Sequence, residues 1–316
     1  MKIVITGGAG FIGSQLALNL QKENEILIID KMRSGELLEN GNLESFGHFK
    51  NLLEFDGSLF VGDIKDEKTF KKIRDFKPDI IFHEAAISDT TAYNQFKVLD
   101  TNLNTFEDFI KLSIELNAKL VYASSASVYG DMPSPQRVGF EEPKNPYAFS
   151  KFMMDKMAKK YYDKAHIVGL RYFNVYGKGE FYKNKTASMV VQFAHQILAG
   201  HKPRLFKGSD KIFRDFTYIK DVISANLAAL DAKCGVYNVG SGKARTFQDI
   251  VDILQSELGT NLPCEYIPNP YVKAYQFHTE AKLDENFAYR PKFSLEEGIK
   301  DYLDEIKRLF EKEVNA

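Results

Sequence analysis

Tyr147 and Lys151 stand four residues apart in the stretch Asn145-Pro146-Tyr147-Ala148-Phe149-Ser150-Lys151. On a helix that spacing puts both side chains on one face, one turn apart. An ammonium beside a phenol favours the phenolate. A tyrosine tuned in this way takes a proton from an alcohol, or returns one, near neutral pH. Taken alone, the pair also describes an ordinary surface helix, so its meaning depends on the elements that would position it.

The first of these is Lys2-Ile3-Val4-Ile5-Thr6, a β-branched run that reads as a buried parallel strand. It leads into Gly7-Gly8-Ala9-Gly10-Phe11-Ile12-Gly13 and then a helical pattern. Strand, glycine turn and helix is the context in which such glycines bind a dinucleotide, because backbone N–H groups can approach a pyrophosphate at the helix N-terminus. The second strand, Glu25 to Asp30, ends on an acid about 20 residues past the loop, where a ribose hydroxyl is bound. Asp30 favours NAD, whereas Lys31 and Arg33 could pair with the 2′-phosphate of NADP. The spacing leaves both open. From 32 to 58 the pattern loosens into a long loop expected to cover the adenosine end.

Further strands are expected at 59–63, 80–83, 119–123 and 166–171, with helices at 66–76, 93–117 and 145–164. The fourth strand ends in Glu84-Ala85-Ala86-Ile87-Ser88, small residues that suit a nicotinamide ribose against backbone. His83 reads as a packed core histidine. The fifth runs into Ser124-Ser125-Ala126-Ser127-Val128-Tyr129-Gly130. The second half carries Tyr172-Phe173-Asn174-Val175-Tyr176-Gly177, a polar loop with Lys183, and Arg214 bracketed by aromatics. From composition Lys183 reads as a solvent-facing loop lysine. Arg214 suits either a diphosphate clamp or a salt bridge with Asp215.

These elements predict an α/β chain: a Rossmann-type doubly wound parallel sheet over 1–172, to which some later segments return. A smaller mixed α/β substrate-binding domain would occupy most of 173–316, with a helix from about 186 to 199 and a strand at 236–239. A length of 316 residues suits two such packed domains. A net charge of −1 gives no electrostatic case for nucleic acid or an anionic membrane. The two cysteines and six histidines show no ligand spacing, so no metal is expected. No apolar run reaches membrane-spanning length and no secretory leader is visible, so the expected compartment is the cytoplasm.

The combination of Gly7-x-x-Gly10-x-x-Gly13, Ser124 to Gly130 and Tyr147-x-x-x-Lys151 resembles the extended short-chain dehydrogenase/reductases, which mostly act on nucleotide-linked sugars. The resemblance implies that Ser125 hydrogen-bonds the reacting oxygen, Tyr147 is the acid/base, and Lys151 holds the nicotinamide ribose and lowers the tyrosine pKa. It also favours the clamp reading of Arg214. The set expected against the cofactor is Gly7, Gly10, Phe11, Ile12, Gly13, Asp30, Lys31, Arg33, Asp63, Ile64, Glu84, Ala85, Ala86, Ile87, Ser88, Asn102, Lys151 and Val175.

Within that superfamily, His83-Glu84 with Thr90-Thr91, Phe206-x-Gly208-Ser209, Arg214-Asp215-Phe216 and the tail from Glu265 to Leu283 resemble the ADP-L-glycero-D-manno-heptose 6-epimerases. That resemblance makes Lys183, six residues after Gly177, a second acid/base. It places Asn174, Lys185, Gln192, Phe206, Lys207, Gly208, Ser209, Arg214 and Tyr275 against an ADP-linked heptose. It implies one tightly bound NADP per subunit, with NAD the alternative. The implied assembly is a homo-oligomer, a pentamer being one candidate, serving lipopolysaccharide core synthesis. Lys178-Gly179 replaces the usual Pro-Arg, and Leu37 stands where a lysine helps hold NADP. The rival readings are a nucleotide-sugar 4-epimerase or reductase, and a dinucleotide sensor without turnover. A 4,6-dehydratase fits worse, because Ser125-Ala126-Ser127 replaces that branch's Thr-Asp-Glu.

Overall fold

Strand β1 (Lys2–Thr6) is buried at every residue but its first, as expected of a parallel strand covered on both faces. In the computed structural model, which describes residues 1–269 and 277–313, it is followed by α1 (Phe11–Leu20), β2 (Glu25–Asp30), β3 (Ser58–Val61), α2 (Glu67–Phe76) and β4 (Ile80–His83). Next come α3 (Gln95–Leu99), α4 (Thr105–Leu116), β5 (Lys119–Ser125), α5 (Pro146–Lys159) and β6 (Ile167–Tyr172). The remaining elements are β7 (Asn174–Tyr176), α6 (Met189–Leu198), β8 (Arg204–Phe206), β9 (Phe213–Tyr218), α7 (Ile219–Ala229), β10 (Gly235–Val239), β11 (Ala244–Thr246), α8 (Phe247–Leu258), β12 (Glu265–Ile267) and α9 (Leu295–Glu313).

The main sheet has seven strands in the order β10-β6-β5-β4-β1-β2-β3, all parallel. The strand order reverses between β1 and β4, and sheets of this kind bind ligands outside the carboxyl ends at that switch point. A three-stranded sheet β11-β9-β7 and the pair β12-β8 make the smaller part. This is the Rossmann-type α/β architecture expected from the sequence.

Four details differ from expectation. The strand near 236–239 was expected in the small domain, yet β10 pairs with β6 in the main sheet, Val236 opposite Gly169 and Val239 opposite Tyr172. Its apolar alternation marks a strand but not its partner. The helix expected over 93–117 begins at α3, capped by the Asn94 side chain accepting from the Lys97 N–H. A π-helical turn over Asp100–Asn104 then separates α3 from α4. The extra residue of such a turn re-aims a side chain, here the buried Asn102. Helix α5 stops at Lys159, where tighter turns carry the chain down to β6. The helix expected from 186 starts at Met189, because Phe181–Thr186 forms short 3-10 turns around Asn184 at φ 54°.

The start of α5 fixes the position of the chemistry. Asn145 caps it, its side-chain oxygen accepting from the Ala148 N–H at 2.8 Å, and Pro146 opens the first turn. The cap satisfies an otherwise orphan donor, and proline costs nothing where no N–H is needed. Tyr147 and Lys151 therefore lie in the first and second turns. Replacing Asn145 by Ala is expected to cost about 1 kcal/mol of stability. Urea unfolding checks this: the midpoint should fall with the m-value unchanged.

Candidate active site

At the carboxyl ends of β1, β4, β5 and β6 lies a cavity of about 1020 Å³. Its floor is the glycine turn. Gly7 has φ +67°, and a Cβ there would meet the Ala85 N at 2.8 Å. At Gly13 a Cβ would lie 2.4 Å from the Gly7 carbonyl oxygen. The turn is thus closed to side chains and leaves backbone facing the cavity, the arrangement that suits a pyrophosphate. Asp30, 5% exposed, accepts from the Ala9 N–H at 3.0 Å and the Met32 N–H at 2.7 Å.

The segment from 32 to 58 folds back over this end. His48 donates its N–H, and Asn51 its side-chain amide, to the Ala9 carbonyl. Residues 36–44 form a small hairpin, Leu37 bridging Leu43. The hairpin fastens onto the loop after β4. Asn40 and Asn42 donate to Asp89, and Glu39 accepts from the Tyr93 and Asn94 N–H groups. Leu38 is buried in one cluster with Ile87, Ala92, Val98 and Tyr147. The segment covers the cavity mouth and also supports the tyrosine.

Across the cavity, Ser125, Tyr147 and Lys151 converge from β5 and α5. The Ser125 hydroxyl accepts from the Ser127 N–H and hydroxyl at 3.2 and 2.9 Å. The Lys151 ammonium donates to the Ala123 carbonyl at 2.7 Å and lies 5.9 Å from the Tyr147 ring centre. Burial moves Tyr147 above its ordinary pKa, with Glu84 adding to the rise and the Ser125 hydroxyl opposing it. The expected phenol-lowering contact with Lys151 is not seen, because the ammonium is turned to the β5 carbonyl. Burial lowers Lys151 itself to about 8, against the pull of Glu84 and Asp155. Glu84 is raised to about 7 by burial, opposed by the Tyr172 hydroxyl and by Lys151.

Lys183 reaches the cavity from the turn before α6 and lies 5.6 Å from the Phe11 ring centre. Burial lowers its pKa, and Glu180 opposes that shift. Glu180 is completely buried. Its carboxylate accepts from the Gly177 N–H at 2.9 Å, the Ser188 N–H at 2.6 Å and the Ser188 hydroxyl at 2.9 Å. Its carbonyl accepts from the Lys183 N–H at 2.9 Å. This one residue fixes both ends of the loop that delivers Lys183.

The NAD dependent epimerase/dehydratase family model matches residues 3–240. The chain belongs to this family. The Helicobacter pylori ADP-L-glycero-D-manno-heptose-6-epimerase structure is similar at 43% identity, over 97% of this chain and 96% of that one, with a TM-score of 0.89. The Thermotoga maritima UDP-glucose 4-epimerase with UDP-glucose is 25% identical, over 98% and 100%, at 0.87. The Bacillus cereus UDP-glucuronic acid 4-epimerase with UDP-glucuronic acid and NAD is 26% identical, over 98% and 100%, at 0.82.

In this family member the cavity wall gathers Gly7, Gly10, Phe11, Ile12, Gly13, Asp30, Lys31, Asp63, Ile64, Glu84, Ala85, Ala86, Ile87, Ser88, Ser125, Tyr147, Lys151, Asn174, Val175, Lys183 and Arg214. Other expected residues lie elsewhere. Arg33 is off the wall, its guanidinium donating to the Tyr182 carbonyl. Asn102 is a strut: its amide bridges both backbone groups of Ile87 and reaches the Ser150 hydroxyl. Lys185 is exposed, and Gln192 donates its amide to the carbonyls of Lys185 and Ala187. Phe206 ends β8, beside β12, and Lys207, Gly208 and Ser209 follow it; none of the four lines the cavity. Tyr275 lies outside the described residues. His83 is the packed histidine expected, 1% exposed, bonded to Thr6 and 4.3 Å from the Phe109 ring centre. No group of His, Cys, Asp and Glu among the described residues could hold a metal.

Glu44, Tyr172 and Glu180 escaped the sequence reading. Only Glu180 left a signal, the spacing Gly177-x-x-Glu180-x-x-Lys183. Replacing Glu180 by Ala leaves buried N–H donors without their acceptor, each worth about 1–3 kcal/mol. The variant should unfold at least 5 °C below the parent by calorimetry, and an unchanged Tm would show that the loop stands without it.

Proposed function

We propose that the chain is an ADP-glyceromanno-heptose 6-epimerase, interconverting the D-glycero and L-glycero forms through a transient C6 ketone. The observation that carries this reading is a single cavity holding two proton-transfer groups on separate elements, Tyr147 on α5 and Lys183 before α6. An exocyclic carbinol that presents opposite faces in the two half-reactions is served by two acid/bases, whereas a reductase needs one such group. The likeness to the Helicobacter pylori enzyme supports the choice of sugar.

The cradle closed to side chains at Gly7 and Gly13, with Asp30 at the end of β2, fits a dinucleotide. A nicotinamide bound there would supply the hydride acceptor and donor for C6. Gly7, Gly10 and Gly13 would hold its pyrophosphate, Asp30 its adenosine ribose and Lys151 its nicotinamide ribose. NADP is the proposed resident, one per subunit, with Lys31 its nearest cation on the cavity wall. NAD is the second reading, favoured by the 2.5 Å pairing of Lys31 with Glu44, which leaves less charge for a 2′-phosphate.

The protein supplies orientation and proton transfer. Ser125 lines the cavity with Tyr147 and is placed to bond the reacting oxygen. Burial favours the neutral form of both acid/bases, raising the phenol and lowering the ammonium. A neutral phenol can give a proton and a neutral amine can take one, as two-sided exchange requires. The reading also carries a cytoplasmic homo-oligomer serving lipopolysaccharide core synthesis; in its support, no helix among the described residues is long and apolar enough to cross a membrane.

Proton NMR of the purified protein with ADP-D-glycero-D-manno-heptose in D₂O should show the L-glycero epimer with no deuterium at C6. Deuterium at C6 would replace hydride return with solvent exchange. No reaction even with added NADP or NAD would overturn the assignment. In the same assay Lys183→Met should lose about 100-fold or more in turnover, while the resident cofactor, read by absorbance after denaturation, stays. Near-parent turnover would remove Lys183 from the chemistry and favour a 4-epimerase or reductase.

A further inference from the structure

Glu84 is a half-buried acid on the cavity wall that the proposed chemistry does not use. It follows directly on β4, where His83 pairs with Tyr122 of β5. Glu84 is therefore level with Ala123, whose carbonyl accepts the Lys151 ammonium at 2.7 Å. On the next strand, Tyr172 at the end of β6 pairs with Ser125 and donates its hydroxyl to Glu84 at 2.9 Å. That hydroxyl in turn accepts from the Asn226 amide at 2.9 Å. The donors run in one direction, from Asn226 through Tyr172 to Glu84, and fix the carboxyl where β4, β5 and α5 meet. Glu84, Lys151, Tyr147 and Tyr172 all line the one cavity.

We propose that Glu84 is a positioning residue, the counter-charge that keeps the Lys151 ammonium protonated inside the site and so sets the pH range in which Lys151 can hold its ligand. The groups facing this pair are few. From α5, Tyr147 faces Glu84, and Asp155 faces Lys151 from one turn further along. Asp155 is itself paired with Arg171 of β6 at 2.8 Å, so its charge is largely answered. His83 feels Lys151, but it is turned to Thr6 and held neutral down to about 3. Glu84 is thus the anion near Lys151 that has no cation of its own from the sheet. With Glu84 near 7 and Lys151 near 8, the pair carries both charges only in a narrow window. Below it the carboxyl is protonated and lends Lys151 nothing. Inside it the anion is present and holds the ammonium against burial, and above it the ammonium is lost.

This sign structure gives the proposal a signature that a packing role lacks. Its kinetic arm rests on the epimerase reading; its spectroscopic arm does not. In the kinetic arm, the ratio of Glu84→Gln to parent kcat should be constant below pH 6.5, where neither protein carries the charge. Between pH 7 and 9 it should fall by about tenfold, as an alkaline midpoint displaced by about one pH unit requires. A ratio that is flat across the whole range overturns the proposal, whether the variant is slow or fast. In the spectroscopic arm, the purified protein labelled with [5-¹³C]glutamate is titrated by NMR without substrate. One carboxyl resonance, absent from Glu84→Gln, should titrate near pH 7, and its midpoint should move up in Lys151→Met, where the cation is gone. Tyr172→Phe should also move it up, by removing the donor that favours the carboxylate. A midpoint that ignores Lys151→Met overturns the pairing even if the protein epimerises its sugar. A midpoint that moves as expected in a protein without epimerase activity upholds the pairing and sinks only the choice of reaction.

Discussion

One carboxylate ties the working helix to the sheet. Asp155 accepts from the Tyr122 hydroxyl at 2.9 Å, the Ser124 hydroxyl at 3.1 Å and the Arg171 Nε at 2.9 Å. Those partners stand on β5 and β6, and Asp155 stands on α5 at the i+4 position from Lys151 and i+8 from Tyr147. Fixing Asp155 therefore fixes the helical face that carries all three. Arg171, 2% exposed, extends the lock to Glu141 and the Tyr129 hydroxyl. A buried ion pair is a poor source of net stability, because desolvating both ions offsets their attraction, but losing one partner leaves the other stranded. Its value here is registration: Lys151 meets Ala123 and Tyr147 meets Ser125 because Asp155 leaves α5 no freedom to slide.

Burial is the second constraint, and it acts on four ionisable groups of the site in the same sense. It raises Glu84 and Tyr147 and lowers Lys151 and Lys183. In each case the neutral form gains. Charge persists only where a specific neighbour answers it, as Glu84 and Asp155 do for Lys151 and Glu180 does for Lys183. The cavity thus holds Glu84 and Lys151 near their switching points, while the hydrogen-bonded carboxylates Asp155 and Glu180, set behind the wall, keep the geometry.

Much of this was legible in the sequence, and the part that was not has a physical reason. Strand, glycine turn and Asp30 announce themselves because the backbone geometry tolerates few alternatives there. The Tyr147 and Lys151 spacing survives because a helix enforces it. Where the lysine ammonium points was not legible, since the i, i+4 rule brings side chains together without choosing between a phenol and a nearby carbonyl. Arg33 shows the same limit: its type fits a phosphate, but the fold spends it on the Tyr182 backbone. Asn102 was read as part of a uniform helix, and only the π-turn reveals it as a strut for Ile87. Lys183 was legible through resemblance alone, because loop residues carry no periodicity, and the Glu180 bonds that hold it are visible only in three dimensions. The hairpin at 36–44 was sensed as a cover for the adenosine end, but nothing in its sequence says that Leu38 reaches Tyr147.

The return of β10 to the main sheet bears on how the molecule is made. Strand β6 is flanked on one side by β5 and on the other by β10, so the edge formed by Ile167–Tyr172 stays unpaired until synthesis has passed Val239. During that interval the edge of a strand that ends fully buried is open to any other nascent chain. The intervening stretch, which builds β7, β8, β9 and the helices around them, must be set aside before the sheet is sealed. The dinucleotide-binding portion is accordingly not a cassette that can be cut out at residue 172 and grafted elsewhere. It is completed by a strand from the second half of the chain, and a ribosome stalled between the two would release a sheet with a raw edge.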